Sequence, residues 1–205
     1  MIVRRHAKTE TAMNLKKSLC ILILLFGAAV GAKGQNVSIK TNLLADAALS
    51  PNLGVDVQLA PQWSFDLSGQ YNNWKVHEMR WKHWFVQPEA RYWFNHALTK
   101  HFIGLHLIGG QFNLGNIKNN LTILGANFSG LSDYRYQGWA AGVGVAYGYA
   151  FPLARHWNLE LEVGVGYAYM AYDRFACVKC GNVAENNSRH YVGPTKAALN
   201  LVYVF

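Results

Sequence analysis

Cysteine is scarce in this chain: Cys20, Cys177 and Cys180 are all there is. A structural zinc site needs about four ligands, and the Cys177-x-x-Cys180 pair has no second pair, only His190 nearby in sequence. A thioredoxin-like redox role would need a helix N-terminus, and no helix is evident there. No Gly-x-Ser-x-Gly occurs, so no serine-hydrolase elbow is legible. Pro/Ser-rich linkers, low-complexity tracts and charge runs are absent, which leaves one domain. Beyond Val30 no long apolar run follows, so the mature chain carries no helical membrane span.

The one apolar run that exists, Leu19 to Val30, follows a short basic stretch, Met13-Asn-Leu-Lys16-Lys17, and precedes the small residues Ala32-Lys33-Gly34. This pattern reads as a secretory signal peptide over residues 1–34, with the true start at Met13. Cys20 lies inside the run rather than after it, against a lipoprotein anchor. The full chain has 19 Lys+Arg and 11 Asp+Glu, a net charge of +8. The leader holds six of those basic side chains (Arg4, Arg5, Lys8, Lys16, Lys17, Lys33) and one acidic one (Glu10). That leaves 13 and 10, or +3, in residues 35–205. Most of the basic excess belongs to the leader, so it argues against nucleic acid as a partner.

What the mature chain does have is alternation, the period of a strand whose two faces meet different surroundings. From Gly138 to Phe151, Trp139, Ala141, Val143, Val145, Tyr147, Tyr149 and Phe151 share one face. Gly and Ala fill the other. Trp157 to Tyr172 repeats the pattern, with Glu160 and Glu162 on the small-residue face. Eight strands are expected, over about 36–49, 53–60, 63–72, 84–93, 102–113, 136–151, 157–172 and 191–205. Short connections alternate with long ones, apart from Ser50-Pro51-Asn52, as in bacterial outer-membrane barrels. A soluble calycin-like barrel would put the apolar face inside. The small-residue face of 138–150 weighs against that. The fold class is therefore all-β: an eight-stranded antiparallel transmembrane up-and-down β-barrel.

The last strand carries the same message. Thr195, Ala197, Leu199, Leu201, Tyr203 and Phe205 share an apolar face, and Lys196, Ala198, Asn200, Val202 and Val204 share a mixed one. Tyr203 and Phe205 read as the signal by which barrel-insertion machinery recognises its clients.

Several site expectations follow. An oxidising compartment favours a Cys177–Cys180 disulfide. Parity places Lys40, Glu89, Arg91, Glu160, Glu162 and Lys196 in the interior, where buried charges need partners. His106 reads as a packed polar plug residue. The interior is expected to be filled, because eight strands leave room for little else. The stretch 73–83 is expected to be an outer loop, with Trp74, His77, Arg80, Trp81 and Lys82 as binding candidates for anionic glycolipid or sugar, or as belt and charged ring above it. His77, Glu78, His83, Asp133, Asp173 and His190 are the ingredients a rim-sited enzyme would draw on.

Conspicuous blocks are Lys40-Thr-Asn-Leu-Leu44, Pro51-Asn-Leu-Gly54, Trp81-Lys-His-Trp84, Gln87-Pro-Glu-Ala-Arg91-Tyr-Trp93, Gly109-Gly-Gln-Phe112, Arg155-His-Trp-Asn158, Cys177-x-x-Cys180-Gly181 and Gly193-Pro-Thr-Lys196. In these, residues 36–205 resemble a family of small bacterial outer-membrane proteins classed as a domain of unknown function and often found near fimbria-type loci. The resemblance implies location and fold. It transfers no catalytic residue.

The expectation is a monomeric, non-enzymatic outer-membrane barrel that anchors, binds or helps assemble surface structures through its outer loops. It has outer-membrane lipid and surface or fimbrial proteins as partners, and neither metal nor cofactor. The alternatives are a rim-sited enzyme acting on lipid or peptide, and a narrow pore.

Overall fold

The alternating segments form strands that close on one another. The computed structural model describes residues 36–76, 79–115, 122–123, 126–127, 134–175 and 183–205. In chain order the elements are β1 (Val37–Asn42), α1 (Leu43–Ala47), β2 (Asn52–Ala60), β3 (Trp63–Val76), β4 (Met79–Trp93), β5 (Lys100–Gly115), β6 (Thr122–Ile123), β7 (Ala126–Asn127), β8 (Arg135–Ala154), β9 (Trp157–Phe175) and β10 (Val183–Val204). Eight strands make a closed antiparallel ring in the order β1-β10-β9-β8-β5-β4-β3-β2, while β6 and β7 pair only with each other. Each barrel strand pairs with the next barrel strand in sequence, and β1 with β10 closes the ring, so the topology is up-and-down. The Phe205 amide donates to Val37 O at 3.0 Å, which puts both termini of the barrel at one end.

Burial is inverted relative to a water-soluble domain. Charged and polar side chains fill the lumen, including Lys40, Asp56, Asp66, Glu89, Arg91, His106, Glu160 and Glu162. The outer wall exposes Leu53, Leu59, Leu105, Leu107, Val143, Val145, Leu161, Val163 and Val165; Val163 is 65% exposed. Small residues on the inner face make room for this filling. A Cβ at Gly148 would strike the Phe102 ring, and one at Gly104 would strike the Glu89 carboxylate.

Three expectations are corrected. The stretch 36–49 is not one strand. Asn42 ends β1 and caps α1, its Oδ1 accepting from the Leu44 amide at 3.1 Å, and good helix formers follow in Leu-Leu-Ala-Asp-Ala. The strands also run further than the alternation suggested. β3 and β4 stay paired as far as Val76 and Met79, so Trp74, Arg80, Trp81 and Lys82 sit on strands rather than in a loop, with Trp74 opposite Trp81. β10 likewise begins at Val183 rather than 191, paired to β9. Polar segments pair as readily as apolar ones once a neighbouring strand supplies the ladder, and periodicity does not mark where they stop. The third correction concerns Thr195. A bulge between Pro194 and Lys196 adds one residue to β10 and turns Thr195 inward, away from the apolar face.

The inner face has no spare volume at Gly148. Gly148→Leu should therefore destabilise the barrel by about 1–3 kcal/mol or more, whereas Val163→Leu on the outer wall should be nearly neutral. Urea titration read by the mobility difference between unheated and heated samples measures both.

Candidate functional site

The lumen is built in layers. At the terminal end an apolar cluster closes it: Trp93, Ala97, Leu98, Phe102 and Ala150, with Val204 against them. Leu98 comes from the connection between β4 and β5 and adopts φ 65°, a conformation held by context, since its carbonyl accepts from Asn158 Nδ2 at 3.1 Å. Trp93 Nε1 donates to Ser64 Oγ at 2.9 Å, which satisfies the indole inside the plug.

Above this cork lies a charged layer. Arg91 has no exposed surface and crosses from β4 to the opposite walls. Its Nε donates to Glu89 Oε1 at 2.8 Å, Nη1 to Asp56 Oδ2 at 2.9 Å and to Glu160 Oε2 at 3.1 Å, and Nη2 to Glu162 Oε2 at 2.8 Å. The guanidinium also rests over the Phe102 ring, 4.4 Å from its centre. Lys40 Nζ lies 2.5 Å from Asp66 and 3.3 Å from Glu160. Lys196 Nζ lies 2.5 Å from Glu89 and 2.9 Å from Glu162. β10 and β4 are diametrically opposed in the ring, so the Lys196–Glu89 pair spans the lumen. Asn200 Nδ2 adds a bond to Glu160 Oε1 at 2.7 Å.

The six interior charges expected from parity thus meet in one network. Sequence reading missed Asp56 and Asp66. They lie directly opposite one another on β2 and β3, and the same alternation count on Val55-Asp56-Val57 and Phe65-Asp66-Leu67 would have found them. Their addition makes five carboxyl groups against three Lys and Arg cations. Ser38 Oγ, Asp56 Oδ1 and Asp66 Oδ1 have no hydrogen-bond partner among the described residues. His106 Nε2 bonds Thr195 Oγ1 at 2.9 Å, and its Nδ1 lies 3.8 Å from Glu89.

The filling stops above this layer, which corrects the expectation of a wholly filled interior. A cavity of about 230 Å³ opens over Lys40 and Lys196, lined by Asn42, Asn52, Ser68, Gln70, Phe85, Gln87, Ile108 and Thr195. The eight-strand rule overestimates the filling here because glycines line part of this section.

The remaining candidates are dispersed. Trp74 Nε1 donates to Leu49 O at 2.7 Å, tying β3 to the segment after α1. Trp81 packs edge-on against His83. Lys82, His83 and Asp173 share a cavity of about 350 Å³ at the loop end, with Trp139. His190 faces outward and pairs with the Tyr167 hydroxyl. Tyr203 packs against Trp157 and Phe205 on the outer face. The side chains of His77 and Arg80, together with Glu78, Asp133, Cys177 and Cys180, lie outside the described residues. Among the described residues no group of three or more His, Cys, Asp or Glu is placed to hold a metal ion.

Fold and lumen define a class: a small up-and-down barrel, apolar outside, closed inside by cross-lumen ion pairs. The chain belongs to the family described as "Protein of unknown function (DUF3575)", whose model matches residues 19–205. Comparison with curated proteins and with solved structures gives no match.

Removing one member of a buried charge network leaves its partners uncompensated. Arg91→Met should lower stability by about 3–5 kcal/mol, and Lys82→Met at the rim by no more than about 0.5 kcal/mol. Urea midpoints of the two variants, compared with the parent, check this.

Proposed function

We propose that this protein is a non-conducting outer-membrane barrel that anchors or binds partners at the cell surface through its loop end. The observation that carries the reading is the outer wall. It exposes large apolar side chains on β2, β3, β5, β8 and β9, among them Leu59, Phe65, Leu105, Val145 and Val163, and lipid is the solvent that favours such a wall.

Aromatic side chains border that surface at both ends. Toward the terminal end Trp63, Tyr92 and Phe94 are in edge contact, as are Trp157, Tyr203 and Phe205. Toward the loop end stand Trp139 and Tyr169, in ring contact, and Trp84, whose Nε1 donates to Gln111. Trp139 and Tyr149 are ten positions apart on β8. That is about 33 Å along a strand, or roughly 25 Å at the tilt common in such barrels, the height of a hydrocarbon band. No described helix is long and apolar enough to cross a membrane. The leader read over residues 1–34 supports export.

Steady conduction is opposed by the lumen. Arg91, Glu89, Asp66 and His106 are almost wholly inaccessible, and the Trp93–Phe102 cork lies beneath them. What is left for function is the end where β3–β4, β5 and β8–β10 run on past the aromatic border. The surface or fimbrial partners expected from the sequence fit this end.

The protein should fractionate with the outer membrane, migrate differently with and without heating, and give no stable conductance steps in planar bilayers. Recovery in the soluble periplasm with heat-independent mobility would defeat the membrane reading. Large steady conductance would replace the anchor by a pore.

A further inference from the structure

The cavity over the charged layer sits where the barrel wall changes. β1 ends at Asn42 and β2 begins at Asn52, and both residues line it. β3 and β4 run on past it and contribute Ser68, Gln70, Phe85 and Gln87, while β10 contributes Thr195 and Lys196. Its volume of about 230 Å³ equals that of roughly seven or eight water molecules. That is room for one sugar-sized ring.

Hydrogen-bonding capacity around the cavity is left over from the fold. Gln70 makes no side-chain hydrogen bond among the described residues. Gln87 Nε2 donates to Thr195 O at 3.3 Å, while its Oε1 accepts from no described group. Asn200 Nδ2 donates to Glu160 at 2.7 Å, which leaves its Oδ1. Lys40 and Lys196 each hold two carboxyl groups, and an ammonium has three donors, so each keeps one N–H over. Donors and acceptors are therefore both on offer, which suits hydroxyl groups, since these donate and accept at once. One side of the cavity is apolar, formed by Phe85 and Ile108. The Phe85 ring has its place because Gly110 stands opposite on β5; a Cβ there would strike the ring.

Charge narrows the ligand further. The layer beneath holds five carboxyl groups against three Lys and Arg cations, so an anion would add to an existing surplus. A cation would arrive beside two ammonium groups. An apolar molecule would cover the amides without pairing them, at the cost of their desolvation. A neutral ring that carries hydroxyls on its rim and C–H bonds on its face avoids all three penalties. Its hydroxyls meet Gln70, Gln87 and Asn200, and its face meets Phe85.

We propose that this cavity is a binding site for a single neutral sugar ring. The inference deepens the loop-end binding reading and rests on it only for the side from which the sugar enters.

The test uses the full chain as made in its own cells, purified in lauryldimethylamine oxide, a detergent whose head group carries no sugar. It is titrated with methyl glucoside, methyl galactoside, methyl mannoside and N-acetylglucosamine, and saturation-transfer NMR reads the contact. At least one sugar should bind saturably with a dissociation constant on the order of 1 mM, with transfer strongest at the ring C–H protons. Gln70→Leu should weaken it about tenfold, the loss of one hydrogen-bonding group, with heat-dependent mobility unchanged. Val163→Leu on the outer wall should leave the affinity as it is. If Gln70→Leu fails to fold, Phe85→Leu carries the test: it removes the ring face and should lower both affinity and transfer. No saturable binding by any of the four sugars would overturn the proposal. So would tighter binding of acetate or tetramethylammonium, affinity indifferent to both Gln70→Leu and Phe85→Leu, or binding lost in Lys82→Met but kept in Gln70→Leu, which would put the ring at the rim. Fractionating the same cells separates the two claims. Outer-membrane protein that binds none of the sugars refutes this site alone, whereas recovery in the soluble periplasm refutes the loop-end reading itself.

Discussion

Arg91 holds the barrel from within. Its guanidinium donates to four carboxyl groups contributed by β2, β4 and β9, and its flat face rests on Phe102 from β5. A water-soluble barrel would gather its strands around an apolar core. Here the wall that would form that core faces outward, and strands on opposite sides of the ring are joined by charge-assisted bonds instead. Such bonds hold only where water is excluded and nearly every charge is answered. The Trp93–Phe102 cork provides the exclusion on one side, and Lys40 and Lys196 answer the carboxylates that Arg91 leaves.

The same arrangement limits what the molecule can do. A lumen tied across its diameter by Lys196–Glu89 gives little scope for a solute path, and its charged side chains are already engaged with one another. Variety is concentrated at the loop end: the cavity above the lysines, the rim cavity beside Trp139, and the long upper part of β10. The anchoring role proposed above would therefore fall to the upper rim, with the barrel below it acting as a post.

The eight strands and their facing were legible because alternation survives wherever the two sides of a wall meet unlike surroundings. Trp139 to Phe151 and Trp157 to Tyr169 announce their outer faces residue by residue. Lys40, Glu89, Arg91, Glu160, Glu162 and Lys196 were assigned inward by the same count. Parity says which way a side chain points but not whom it meets, so the pairing of Lys196 with Glu89 across the ring was not legible, and Asp56 and Asp66 passed unremarked on short strands. Element ends were the poorest reading. α1 depends on Asn42 acting as a cap, and the inward turn of Thr195 depends on a one-residue bulge that flips parity. Both are local backbone events without a periodic signature.

The proposed membrane role requires the apolar wall to face lipid. Nitroxide labels attached to cysteine at positions 143, 145, 163 and 165, in a chain whose native cysteines are serine, report this directly in reconstituted bilayers. A lipid-facing wall gives strong relaxation by oxygen and little by a water-soluble nickel complex at all four positions, with the contrast weakening toward labels placed at 139 and 149. Labels at 143–165 that meet the nickel complex as freely as a surface residue would contradict it.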